Sequence, residues 1–322
     1  MRKCISIFMG AFLLSACGSA GKASGSDSAS VADSASVEVS VPQFDVDSAM
    51  SYLRHQVELG PRVPNTSAHR AAIDWLAAEL RRHGAEVTLQ PCDLTAYDGT
   101  LLHAVNIMGS YNPDLDDRLL LLAHFDTRPW ADQDPDPANH SKPIAGANDG
   151  ASGVAVLLET ARAIARQNPE IGIDILMVDA EDYGAENDEE SWALGTKYFA
   201  THPIKPDYRP TRAILLDMVG GKGAIFPAEY FSRESAPLID DAFRRAAAAA
   251  GHGSLFPPRM GSAVTDDHVE LIKIGIPAID IIDYRDSGFC PTWHTLSDNL
   301  DNIDPATLKA VGESLLYYIY NR

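Results

Sequence analysis

Four short runs, at residues 119–123, 173–178, 213–216 and 278–282, consist of Leu, Ile, Val, Ala and Met, interrupted only by Asp174 and Asp280. A strand with one wet face alternates apolar and polar residues; a strand covered by helices on both faces has no reason to. The runs therefore predict interior strands of a helix-covered sheet. Two weaker segments, 87–89 and 104–108, read as further strands. Helical patterns fall between them. At 66–83, Ala72, Ile73, Leu76, Ala77 and Leu80 form a stripe that Gly84 ends, and similar spacing recurs at 153–166, 190–201, 236–250 and 305–320. Strands alternating with helices predict an α/β single domain with a mostly parallel, twisted central sheet and helices on both faces. Such sheets bind ligands beyond the carboxyl ends of their strands.

The chain begins differently. Arg2 and Lys3 precede an apolar run at 5–14, the pattern of a secretory signal too short to span a bilayer. The run leads into Leu14-Ser15-Ala16-Cys17, which resembles the bacterial lipoprotein processing signal, in which the Cys is lipidated and becomes the new N-terminus. Residues 1–17 are thus expected to be a signal peptide, and the chain to be exported and anchored to a bacterial membrane through Cys17, facing the periplasm or cell surface. Residues 18–42 are mostly Gly, Ala, Ser, Asp and Val, too poor in large apolar groups to offset chain entropy, and read as a flexible tether. Residues 43–322 read as a single folded domain, without internal repeat. Only Cys92 and Cys290 lie within it. An oxidising compartment permits them to pair, and two free buried thiols are equally consistent with the sequence.

Acidic residues number 45 against 26 basic ones, a formal net charge of −19, with no basic patch. This argues against a nucleic-acid partner, which requires clustered Lys and Arg.

The strand ends carry the chemistry. After 119–123 come His124 and Asp126; Asp149 opens the turn before a helix; Glu181 and Asp182 follow 173–178; Asp217 follows 213–216. Asp266, Asp267 and His268 stand together near the C-terminus, as do Trp293 and His294. Taken singly, each has an ordinary structural explanation: a core histidine, a helix cap, a turn, a core tryptophan. Together they form a set of His and carboxylate ligands suited to zinc.

The order of these motifs resembles the zinc aminopeptidase superfamily and, within it, the glutaminyl cyclase family (glutaminyl-peptide cyclotransferases). The segments carrying the resemblance are "LLAHFDT", "GANDGASG", "MVDAEDYG", "LLDMVG", "TDDH" and "WHT". It covers the domain from about Gln43 onward. It implies one Zn2+ held by Asp149, Asp182 and His294, with Glu181 as general acid/base. It further implies that Asp217 and Asp267 hydrogen-bond around Glu181, and that Trp293 forms an aromatic wall of the substrate pocket. Two features depart from the animal enzymes: Asp182 stands where they have Glu, and no Cys lies near His124 or Asp149 in sequence to form their disulfide. The implied substrates are peptides or proteins with N-terminal Gln, cyclised to pyroglutamate with loss of ammonia, by a chain expected to be a monomer. The rival is a two-zinc aminopeptidase in which Asp149 bridges to a second metal on His124 and Asp217. Trp130, the 132–140 loop and Phe256-Pro257-Pro258 are candidates for the pocket mouth. Asp179, Glu186, Asp188, Glu189 and Glu190 read as solvated acids.

Overall fold

The computed structural model describes residues 40–321. The signal segment, Cys17 and nearly all of the tether lie outside the described residues. Six strands form one sheet in the order β1-β2-β4-β3-β5-β6: β1 (Glu86–Thr95), β2 (Leu101–Tyr111), β3 (Arg118–His124), β4 (Gly172–Val178), β5 (Arg212–Asp217) and β6 (Ala278–Ile282). The strands β4, β3, β5 and β6 run parallel, β6 at one edge, while β1 and β2 add an antiparallel hairpin that pairs with β4.

The unbroken apolar runs have the predicted cause. Leu119, Leu121 and Ala123 of β3 join the cluster beneath α1 (Val46–Glu58), α3 (Ala151–Arg166) and α8 (Pro305–Tyr320), whereas Leu120 and Leu122 join the opposite one with Phe199 and Leu271. Those two side chains come from α4 (Leu194–Thr201) and α7 (Asp267–Lys273). Every residue of β3, β4 and β6 is buried. The first cluster also takes in α2 (Ser67–Arg82), capped by Thr66, and α6 (Pro237–Ala249), with the short α5 (Tyr230–Ser235) just before it. A two-stranded ribbon, β7 (Tyr284–Arg285) and β8 (Gly288–Phe289), follows β6. All these elements belong to one compact unit.

The structure differs from expectation at four helices. α1, α5 and α7 were not anticipated, and the helix expected over 190–201 begins only at Leu194, because Ala193 has a left-handed φ of 54° that no preceding helical turn accommodates. Cys92 and Cys290 are both free and buried.

Candidate metal centre and active site

Glu181 and Asp182, the adjacent acids after β4, are held in place by a third. Asp126, fully buried just past β3, accepts the Glu181 amide on Oδ1 and the Asp182 amide on Oδ2, both at 3.1 Å. One carboxylate thus fixes two successive peptide units, and with them the positions of the Glu181 and Asp182 side chains. Asp179, expected in solvent, is instead wholly buried. Its carboxylate pairs with His69 Nε2 at 2.8 Å and accepts the Val105 amide at 2.7 Å, a partnership across the sheet that no local sequence pattern reveals.

Asp149, Asp182 and His294 converge. Each offers one ligand atom, and the three lie within 4.8 Å of one another; His294 Nε2 is 3.2 Å from Asp182 Oδ1 and 3.6 Å from Asp149 Oδ2. All three residues are buried, and Asp149 Oδ2 and Asp182 Oδ2 have no hydrogen-bond partner. Two buried carboxylates with bare oxygens facing one imidazole are costly unless a cation or proton joins them, and two O donors with one N donor suit zinc while leaving a position open. The residues therefore fit such an ion. Asp298 holds this corner, accepting the Asn148 and Asp149 amides at 2.7 and 3.1 Å. Gly150 follows because a Cβ there would strike the His124 carbonyl and come within 2.7 Å of its Cε1. A second group shares Asp149: His124 Nε2 lies 3.0 Å from Asp149 Oδ1 and 3.2 Å from Asp217 Oδ1.

Glu181 lines the cavity beside the metal group. Burial pushes its pKa well above the usual carboxylate range, and repulsion from Asp266, Asp182 and Asp267 adds to this against the pull of His124. Asp217 is pushed up to about 7, first by burial and then by Asp266 and Asp149, with the His124 hydrogen bond opposing. Asp217 lies 3.2 Å from His124 Nε2, and Asp267, close enough to raise the Glu181 pKa, does not itself line the cavity. The residue on the cavity wall is Asp266, one position earlier. Asp266 is the extended N-cap of α7, accepting the Asp267 amide, while Asp267 already belongs to the helix and turns toward Thr196 of α4.

The cavity, about 310 Å3, is walled by Trp192, Trp293 and His294 beside Glu181, Asp182 and Asp266. Trp293 stacks on the His294 ring at 3.7 Å and on Phe289 at 4.5 Å; Trp192 lies parallel to His294 at 6.0 Å. The other mouth candidates sit elsewhere. Trp130 packs on Tyr183, Phe256 stacks in the core on Phe226, and the 132–140 loop supports the His294 backbone through Gln133.

Residues 106–319 match peptidase family M28. The chain belongs to this family. Within reach of it, the glutaminyl cyclase of Bacteroides thetaiotaomicron, solved bound to N-acetylhistamine, is 51% identical, with a TM-score of 0.86 over 88% of this chain and 100% of that one. A Zn-dependent exopeptidase from Parabacteroides distasonis is 50% identical over the same shares, also with a TM-score of 0.86. The glutaminyl-peptide cyclotransferase of Bos taurus is 25% identical over 66% of this chain and 65% of its own length, so the chain spans just under two thirds of that relative. Four functional residues of this M28 site were not assigned from sequence: Asp126, Arg128, Trp192 and Asp298. Asp126 had a visible signal, since it falls two residues after an apolar strand. The others act across 54 residues or more, beyond any local pattern.

Proposed function

We propose that this M28 protein is a glutaminyl-peptide cyclotransferase that converts N-terminal Gln of peptides or proteins to pyroglutamate and releases ammonia. The observation carrying this reading is a buried Glu181, its proton affinity raised by burial, beside the Asp149–Asp182–His294 group, in a small cavity between two tryptophans. These three residues would hold one zinc ion, which when bound supplies Lewis-acid polarisation of a carbonyl. The cavity suits a short side chain folded back on its own amine, so that orientation contributes to rate. Glu181 takes the proton that the α-amine sheds as its nitrogen bonds the γ-carbon, and returns it to the leaving nitrogen, which departs as ammonia when the C–N bond breaks. Asp266, which faces the cavity, raises the proton affinity of Glu181 through its negative charge, so that the proton is held until the leaving nitrogen takes it. Trp293 and Trp192 exclude water. No water takes part in this chemistry.

The exopeptidase reading draws on the His124–Asp149–Asp217 group as a second metal position. Product analysis separates the two. With Gln-Xaa peptides the purified protein is expected to give ammonia and a peptide lighter by one ammonia, and with Leu-Xaa peptides nothing. Free Leu formed faster than pyroglutamate, with two zincs per chain, would overturn the cyclase reading. The proposal extends to location. The Leu14-Ser15-Ala16-Cys17 motif supports a lipid anchor through Cys17, and a Cys17→Ser protein that still fractionates with membranes after cleavage would remove it.

A further inference from the structure

Arg128 lies in the segment after β3, and its guanidinium is almost wholly buried between the indoles of Trp192 and Trp130, at 4.8 and 5.5 Å from their ring centres. A buried cation is costly unless its donors are used, and these are. Nε and Nη2 grip Asp132 in a two-point fork at 2.8 and 2.6 Å; Nη1 reaches the Asp182 carbonyl at 3.2 Å, Asp182 Oδ1 at 3.4 Å and the Gly184 carbonyl at 3.1 Å. Asp132 in turn presents Oδ1 at 3.5 Å to His294 Nδ1, a buried ring nitrogen with no hydrogen-bond partner of its own. Two of the three residues of the metal group are thus backed by one ion pair.

We infer that the Arg128–Asp132 pair is a positioning dyad that sets the affinity of the Asp149–Asp182–His294 site for its metal. A histidine ligand keeps its metal-facing nitrogen free when a carboxylate takes the proton on the other, and Asp132 is the carboxylate facing that nitrogen. A carboxylate ligand keeps one orientation when a fixed cation holds its backbone and an oxygen, and Arg128 does both for Asp182. Outer partners of this kind change metal affinity by about 10–100-fold. The planar fork explains why arginine stands here: an ammonium is a single point and cannot grip both oxygens of Asp132 while reaching Asp182 and Gly184.

The inference rests on the assignment of the metal ligands, and the experiment separates the two. Zinc affinity is measured by competition with a chromophoric chelator for the wild type, Asp132→Asn, Arg128→Met, Arg128→Lys and the Asp132→Asn/Arg128→Met double variant; thermal unfolding of each zinc-free protein is recorded alongside. Asp132→Asn and Arg128→Met are expected to weaken zinc binding by about 10–100-fold. Arg128→Lys should recover little of this, and the double variant should lose far less than the product of the two single losses, because the pair acts as a unit. Asp132 is 30% exposed, so Asp132→Asn keeps the test open if Arg128→Met fails to fold. Folded variants whose zinc affinity stays within threefold of wild type overturn the dyad, as does full recovery by Arg128→Lys. A wild type that binds no zinc overturns the ligand assignment instead.

Discussion

Asp126→Asn is the substitution whose cost follows most directly from the geometry. The native carboxylate accepts two backbone amides, one on each oxygen, at 3.1 Å, and is wholly buried. Asparagine preserves the shape but turns an NH2 toward one of those N–H groups. One charge-assisted bond of about 1.5–3 kcal/mol disappears, and a buried donor left facing a donor costs about 1–3 kcal/mol. The terms overlap, and the relief of a buried charge offsets part of them, which leaves a net loss of about 2–4 kcal/mol. For a domain of this size that corresponds to a fall in Tm of about 3–7 °C. The assay is thermal unfolding of chelator-treated wild type and variant at one pH, so that metal loss does not enter. Because Glu181 and Asp182 both hang on this carboxylate, zinc affinity and turnover of the variant should drop as well. A metal-free Asp126→Asn protein melting within about 1 °C of wild type would show that the clamp holds nothing, and the account of how the two acids are held in place would fail.

Three further outcomes are expected. Glu181→Gln, which replaces the proposed acid/base by a neutral near-isostere that can neither accept nor return a proton, should retain zinc content and Tm while turnover falls by about two to four decades; unchanged turnover removes Glu181 from the reaction. His294→Ala should lower zinc occupancy and the zinc-dependent part of the Tm together, since ligand binding energy is also folding energy, which metal analysis and calorimetry check. Asp217 retains a proton in the folded state up to about pH 7, while an unfolded Asp loses it near 4, so its contribution to stability is full at low pH and declines as pH rises through that window. Metal-free Asp217→Asn should therefore show a shallower loss of stability between about pH 4 and 7 than wild type, measured by denaturant titration; parallel curves contradict the shift.

The sheet was legible because burial on both faces writes itself into composition: all six strands fall where apolar runs predict them, although β1 and β2 extend well beyond. The residues at the strand ends were legible for the same reason, as His, Asp and Glu stand out immediately after such runs. What the sequence concealed depends on short or distant structure. α7 is seven residues long, too brief for a periodic signature, so the choice between Asp266 and Asp267 could not be made until the cap was seen. Arg128 and Asp132 sit in a loop without pattern, and their partners Asp182 and His294 lie far along the chain. Asp179 reads as one more loop acid until His69 is found against it.

The two cysteines give the domain a history of their own. Cys92 and Cys290 are buried and unpaired, their thiols pushed up to about 12 and about 11, chiefly by burial. Thiols that hold their protons so firmly are poor nucleophiles and slow to exchange. The described fold closes no covalent loop, so its assembly needs neither an oxidant nor an isomerase to sort pairings. The described domain can reach the same structure in a reducing compartment as in an oxidising one.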